Sequence, residues 1–242
     1  MSSLLTGKEV AQDIYAKLEV PEGATLAILS QNAQPDDLAY ARNIAKAAEK
    51  VGIKVIQTED AEEALAMPAV IVLGDHQGLE LAPRQDIDGW NDYFAPCTAE
   101  AALRILDFYG YELRGKKVTV VGRSMVVGKP AAMLALAKDA TVTICHSKTL
   151  NLPAECRAAD VVIAAIGRAQ MLGREYFREH QKDQVVIDVG INVKADGSLV
   201  GDVATGEVAD QVAAITPVPG GVGAVTTAIL MEHVVRACTL AV

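Results

Sequence analysis

Residues 116–149, KKVTVVGRSMVVGKPAAMLALAKDATVTICHSKT, read as strand, glycine turn, helix, strand. Residues 117–121 are a short β-branched run, the composition of a strand buried in a parallel sheet. Gly122 ends that run, and helix-forming residues follow over 130–138, with Pro130 suited to a first turn. A second strand starts at Thr141. Between a strand and a helix N-terminus, free backbone N–H groups and the helix dipole converge, which makes a ready anion site. The stretch is half of a dinucleotide-binding unit.

Its fingerprint departs from G-x-G-x-x-G. Gly122 stands first, Ser124 takes the place of the second glycine, and Gly128 comes one residue late. Alone, such a turn is weak support for a nucleotide site. The second strand ends in His146-Ser147-Lys148-Thr149, without the acid that bonds a ribose 2′-hydroxyl in NAD-preferring folds. Hydroxyls and cations there, with Arg123 in the turn, suit a 2′-phosphate and lean toward NADP. The competing reading makes Arg123 and Lys148 solvated surface charges.

A chain of 242 residues holds one large or two modest domains. A 51% hydrophobic and 22% charged composition fits a soluble α/β protein. No apolar run nears the roughly 20 residues that span a bilayer, and the N-terminus lacks a secretory pattern. Cys97, Cys145, Cys156 and Cys238 have no C-x-x-C spacing, so buried thiols in a reducing cytoplasm are expected. The four histidines form no H-x-x-x-H pair, and no metal is expected. A net charge of −9 argues against nucleic acid as partner.

Along the chain, Thr6 is placed to cap a helix reaching Leu18. Strands are expected at 24–29, 53–57 and 69–73, and helices at 37–51 and near Glu62. This alternation implies a mainly parallel sheet. Asp86-Ile87-Asp88-Gly89-Trp90 has the chemistry of a turn. A helix follows Pro96 with Thr98 as cap. Further strands are expected at 160–165 and 185–189, a helix near Glu175, and a last helix over 225–242. Pro217-Val218-Pro219-Gly220-Gly221-Val222-Gly223 reads equally as a hinge or as main chain closing on a ligand.

Taken together, GRSMVVGKP with CHSKT, VVIDVGIN followed by GDV, and ITPVPGGVG resemble the methylenetetrahydrofolate dehydrogenase/cyclohydrolase family. The likeness extends to LTGKEVAQDI, DIDGW and PCTAEA, over essentially the whole chain. It implies a two-domain α/β homodimer with folate in a cleft between a catalytic and a Rossmann-like NAD(P)-binding domain. The expected division is a folate domain of 1–112 with the helix 225–242 returning to it, and an NADP domain of 113–224. By resemblance, Gly122, Arg123 and Ser124 form the cofactor turn, Ser147 lies near the 2′-phosphate, and Ile191 contacts the nicotinamide half. Tyr40 stacks on the aminobenzoyl ring and Asp88 holds the pterin; these two are the expected catalytic pair. Pro219, Gly220, Gly221, Gly223 and Thr226 match the loop closing over substrate.

Three departures stand out. The family's Tyr-x-x-x-Lys-x-Lys reads here Tyr40-Ala-Arg-Asn-Ile44-Ala-Lys46, without the first lysine. Its Val-Gln-Leu-Pro-Leu-Pro loop is replaced by Val72-Leu73-Gly74-Asp75-His76-Gln77, and the first domain looks shortened there. Gly-Pro-Met-Thr reads Gly223-Ala224-Val225-Thr226. The expectation is an NADP-dependent oxidation of methylenetetrahydrofolate without hydrolysis of the methenyl product. Two rivals stand beside it: a bifunctional enzyme with Lys46 or His76 as base, and a non-catalytic folate- or NADP-binding protein.

Overall fold

The computed structural model describes residues 2–74, 79–179 and 181–241. The loop residues Asp75, His76 and Gln77 therefore lie outside the described residues. In chain order the elements begin with β1 (Ser3–Leu4), α1 (Gly7–Ala16), β2 (Thr25–Gln31), α2 (Pro35–Lys50), β3 (Lys54–Thr58), α3 (Ala61–Leu65), β4 (Ala69–Gly74) and α4 (Cys97–Phe108). Next come β5 (Lys117–Val121), α5 (Gly128–Ala137), β6 (Thr141–Cys145), α6 (Leu152–Ala158), β7 (Val161–Ala164), a 3-10 turn (Arg174–Tyr176) and β8 (Val185–Asp188). The chain ends with β9 (Asn192–Val193), β10 (Leu199–Val200), α7 (Thr205–Val208), β11 (Ala214–Ile215) and α8 (Val222–Leu240). The fold is α/β and mainly parallel, as expected; the two-stranded β9–β10 pair alone among the described strands is antiparallel.

Two compact units result, one of residues 1–10 and 98–226, the other of 11–97 and 227–242. The C-terminal part of α8 thus joins the unit built from 11–97. The division differs from the expected 112/113 boundary, because α4 from Thr98 onward and the first ten residues group with the dinucleotide-type unit. β1 accounts for the latter: Ser3 and Leu4 pair in parallel with Ala214 and Ile215 of β11. A two-residue strand leaves no periodicity to read in the sequence.

In the larger unit six parallel strands run in the order β1-β11-β8-β7-β5-β6. Its core gathers Val121, Cys145, Val162, Leu172, Phe177, Val186 and Ile215. Burying side chains of this size contributes about 1.5–3 kcal/mol each. α5 turns Gly128, Ala131, Ala132 and Ala135 inward, small residues that let it lie close to the sheet. The helix expected near Glu175 is a single 3-10 turn, because Phe177 leaves it to enter the core. α6 has no counterpart among the expected elements; Asn151 Oδ1 caps it by accepting the Ala154 N–H at 3.3 Å.

The smaller unit has a parallel sheet β3-β2-β4, with β2 buried along Leu26–Leu29. α2 starts at Pro35, and the Asp37 carboxylate accepts the Gln34 N–H at 2.8 Å, the reciprocal half of a capping box. Its inner face is Ala41, Ile44, Ala45 and Ala48. From α8, the Cys238 thiol reaches the Thr25 carbonyl at 3.7 Å. Thr98 is not the cap of α4: the helix begins at Cys97, whose N–H goes to Asp88.

Candidate active site

In the larger unit the chain winds from β5 to β6 on one side, then crosses to β7 on the other. Open α/β sheets bind ligands beyond the strand ends at such a reversal. Gly122 follows β5 and Ala165 follows β7. Gly122 has φ +141°, and a Cβ on it would stand 2.1 Å from the Ala165 carbonyl oxygen. No other residue fits there. A Cβ on Gly128 would stand 2.4 Å from the Gly122 carbonyl oxygen. The late glycine therefore allows the close helix–strand approach that the fingerprint's third glycine usually allows.

Ser124, in place of the second glycine, ties the turn to the start of α5. Its Oγ accepts the N–H groups of Val127 and Gly128 at 3.1 and 3.2 Å. The N–H groups of Arg123, Ser124, Met125 and Val126 have no hydrogen-bond partner among the described residues. Arg123, Ser124, Ser147 and Lys148 are exposed. After β6 a tight turn holds Ser147: His146 N–H donates to Thr149 Oγ1 at 2.9 Å, and Lys148 N–H to His146 Nδ1 at 3.1 Å. A glycine with no room for a side chain, four free N–H groups and nearby cations fit a phosphate-bearing cofactor.

The turns next to this crevice hang on two buried carboxylates that sequence reasoning passed over. Asp188, at the end of β8, accepts the N–H groups of Gly190, Asp202 and Val203 at 2.9–3.0 Å. Asp202 accepts those of Ile166, Gly167 and Arg168 at 2.6–3.0 Å, and the Asn192 amide at 3.0 Å. A Cβ on Gly201 would stand 1.9 Å from Asp188 Oδ2, and one on Gly190 2.3 Å from Asp202 Oδ1. The local strings VVIDVG and GDV mark each acid as sitting beside apolar residues and glycine, but not what it bonds. Burial pushes the Asp188 carboxyl up to about 6, partly offset by its three N–H donors.

A cavity of about 200 Å³ lies against these loops, lined by Ile191 and Leu199 on one side and Pro219 to Gly223 on the other. Two of the segments singled out in the sequence therefore meet. A Cβ on Gly223 would come within 3.6 Å of Ile191 Cδ1. Val222 already belongs to α8, so Gly223 and Thr226 are helical rather than loop residues. Thr226 is buried and donates its hydroxyl to the Val222 carbonyl at 3.1 Å, the backbone acceptor a helical threonine reaches one turn back. Exposed Pro219 and Gly220 form the tip of the turn.

In the smaller unit Tyr40 and Asp88 come together. The phenol of Tyr40 is held well above its ordinary value, first by burial and then by the nearby Asp88 carboxylate. Asp88 Oδ1 accepts the Cys97 N–H at 2.6 Å. Asp86 supplies the turn chemistry, bonded to the N–H groups of Asp88 and Gly89. His233 of α8 supports the loop from beneath, its Nδ1 2.8 Å from the Ile87 carbonyl and 3.5 Å from the Cys97 thiol. It is buried, and nothing in the local sequence marked it. Ile44 is fully buried, one turn after Tyr40, while Lys46 is exposed.

Residues 96–242 match the model of the tetrahydrofolate dehydrogenase/cyclohydrolase NAD(P)-binding domain. The bifunctional protein FolD of Clostridioides difficile is 42% identical over 280 residues, covering 98% of this chain and 96% of its own. The chain belongs to this family. The aligned span exceeds the 242 residues present, so that relative carries segments this family member lacks. The FolD structure from Campylobacter jejuni superposes with TM-score 0.87 at 29% identity, covering all of both chains. A Trypanosoma brucei FolD solved with NADP cofactor and inhibitor gives 0.86 at 28% identity, covering 99% of this chain and 98% of its own.

Proposed function

We propose that this family member oxidises 5,10-methylenetetrahydrofolate with NADP and lacks appreciable methenyl-hydrolysing activity. The observation that carries the reading is Gly122 at the sheet's reversal, in a turn with four free N–H groups and no acid after β6. Gly122, Ser124 and the N–H groups of 123–126 would hold the diphosphate, and Arg123 and Ser147 the 2′-phosphate. When bound, NADP would supply the hydride acceptor for the bridging methylene of the folate. The chain's own work is positioning and electrostatics. Tyr40 orients the aminobenzoyl ring as a neutral phenol, and the free Oδ2 of Asp88 accepts from the amino-pyrimidinone edge. Ile191, Pro219, Gly220, Gly221 and Gly223 shape the nicotinamide pocket and exclude water, with Thr226 tying down the first turn of α8. The functional halves follow the two units, cofactor to 98–226 and folate to 11–97.

The absence of hydrolysis is argued from Ile44. Opening the methenyl ring needs an activated water and proton transfers. Isoleucine supplies neither, and Lys46 lies roughly 240° around α2 from Tyr40 at the ~100° helical step. We further read the chain as a cytoplasmic homodimer. Four free buried cysteines support a reducing compartment. Ile144 on the edge strand β6, with Met133 and Leu136 on α5, leaves an apolar surface for a second copy. Purified protein, methylenetetrahydrofolate and either cofactor in a spectrophotometric assay test the reading. NADP-dependent formation of the methenyl product is expected, with its decay at the spontaneous rate. Equal use of NAD, or catalysed decay matching dehydrogenase turnover, would refute the respective half.

A further inference from the structure

The peptide unit that joins Ile87 to Asp88 is bonded at both of its edges. Its carbonyl accepts from two side chains, His233 Nδ1 on α8 at 2.8 Å and the Cys97 thiol at 3.6 Å. A carbonyl oxygen only accepts, so Nδ1 carries a ring proton in this geometry. The N–H of the same unit, that of Asp88, goes to the Asp86 carboxylate. A planar amide held at both edges turns about its flanking bonds only by breaking one of these contacts. Its orientation sets the direction in which the Asp88 side chain leaves the backbone, and the Cys97 N–H then fixes Oδ1 at 2.6 Å.

Of the three side chains on this peptide, Asp86 and Cys97 belong to the segment that carries Asp88. His233 comes from another element, 146 residues away in the chain. Its ring is buried and cannot swing freely: it packs on Phe94 with centroids 4.9 Å apart, and the Arg236 guanidinium lies 5.6 Å from the centroid of Phe94. A buried imidazole costs stability unless its polar atoms are bonded. Here Nδ1 meets that need on the peptide behind Asp88, so the ring anchors the turn to α8.

We propose that His233 is a positioning residue for the folate: through the Ile87 carbonyl it aims Oδ2 of Asp88, and so governs pterin recognition without touching the ligand. The inference rests on the reading of Asp88 as the pterin's acceptor. A double-mutant cycle between His233→Leu and Asp88→Asn tests it, by steady-state kinetics on methylenetetrahydrofolate and NADP. Leucine keeps a carbon at the δ position and removes the donor. His233→Asn returns an N–H donor at the same number of bonds from the backbone. His233→Leu should lower kcat/KM for folate about tenfold, the scale of one lost hydrogen bond, with KM for NADP unchanged. His233→Asn should recover most of that loss. In the Asp88→Asn background His233→Leu should lower kcat/KM no further, because no outward acceptor remains to be aimed. Wild-type folate kinetics in His233→Leu, an equal loss in both backgrounds, or an asparagine variant no better than the leucine one would overturn the positioning role while leaving Asp88 as acceptor. Wild-type folate kinetics in Asp88→Asn would instead overturn the acceptor reading, and the positioning role with it. If His233→Leu does not fold, His233→Gln, whose donor sits one atom further out, takes its place in the cycle with the same expected outcomes.

Discussion

Asp88 accepts the backbone N–H of Cys97 on Oδ1 at 2.6 Å, which fixes the carboxylate and leaves Oδ2 as its unbonded oxygen among the described residues. The residue is at once a clamp on the start of α4 and a candidate acceptor. The two roles separate by substitution. In Asp88→Asn the amide oxygen can still take the Cys97 N–H, which turns the NH2 outward in place of Oδ2. An outward acceptor becomes a donor against a donor edge. The expected cost is about 1–3 kcal/mol in folate kcat/KM, with little change in melting temperature or in KM for NADP. Wild-type kinetics at limiting folate would remove Asp88 from the site.

The turn DIDGW illustrates what sequence could and could not deliver. Asp86 behaves as turn chemistry predicts, bonded to the next N–H groups. Asp88, two residues on, caps a helix starting nine residues later, which no local rule anticipates. The strand–turn–helix of residues 117–137 was legible because β-branched runs, glycine and alanine follow local rules. So was the returning C-terminal helix, though its start at Val222 was hidden by glycines that usually end helices. Asp188, Asp202 and His233 were not legible as supports, since their partners lie up to 146 residues away in the chain. The link of β1 to β11 depends likewise on tertiary pairing alone.

Arg123 is exposed beside four free N–H groups and should distinguish the cofactors. A charge-assisted phosphate contact contributes about 1.5–3 kcal/mol, or roughly tenfold to a hundredfold in affinity. Arg123→Ala should raise KM for NADP by that factor and leave KM for NAD nearly unchanged. A parallel rise for both cofactors would assign Arg123 to the diphosphate instead.

Asp188 should leave a signature in the pH dependence of stability. Its folded-state carboxyl, pushed up to about 6 by burial, holds its proton more tightly than the unfolded chain does. Its contribution is therefore fully present below the ordinary carboxylate range and is lost as pH rises through about 6. A rise of that size corresponds to at most about 3 kcal/mol. Asp188→Asn removes this titration. Comparing denaturant unfolding of the two proteins from pH 4 to 7, the wild type's advantage should shrink by up to that amount. A difference independent of pH would mean that the three backbone donors keep Asp188 ionised throughout.

Ile44 offers the sharpest test of the proposal that this chain does not hydrolyse the methenyl product. The position is fully buried on the inner face of α2, among Ala41, Ala45 and Ala48. Ile44→Lys restores the family's Tyr-x-x-x-Lys spacing and places an ammonium group where the present core offers apolar neighbours. An unpaired buried ammonium either loses its proton or drives the side chain outward. The variant should therefore lose about 2–4 kcal/mol of stability, within the range for a disrupted core position. It should gain little methenyl hydrolysis, because Leu73 stands where the family resemblance expects the accompanying loop glutamine. Thermal unfolding and the decay of methenyltetrahydrofolate absorbance measure the two effects on one preparation. Strong hydrolysis in a stable Ile44→Lys protein, above that of the wild type, would show that this one side chain is enough to decide the step.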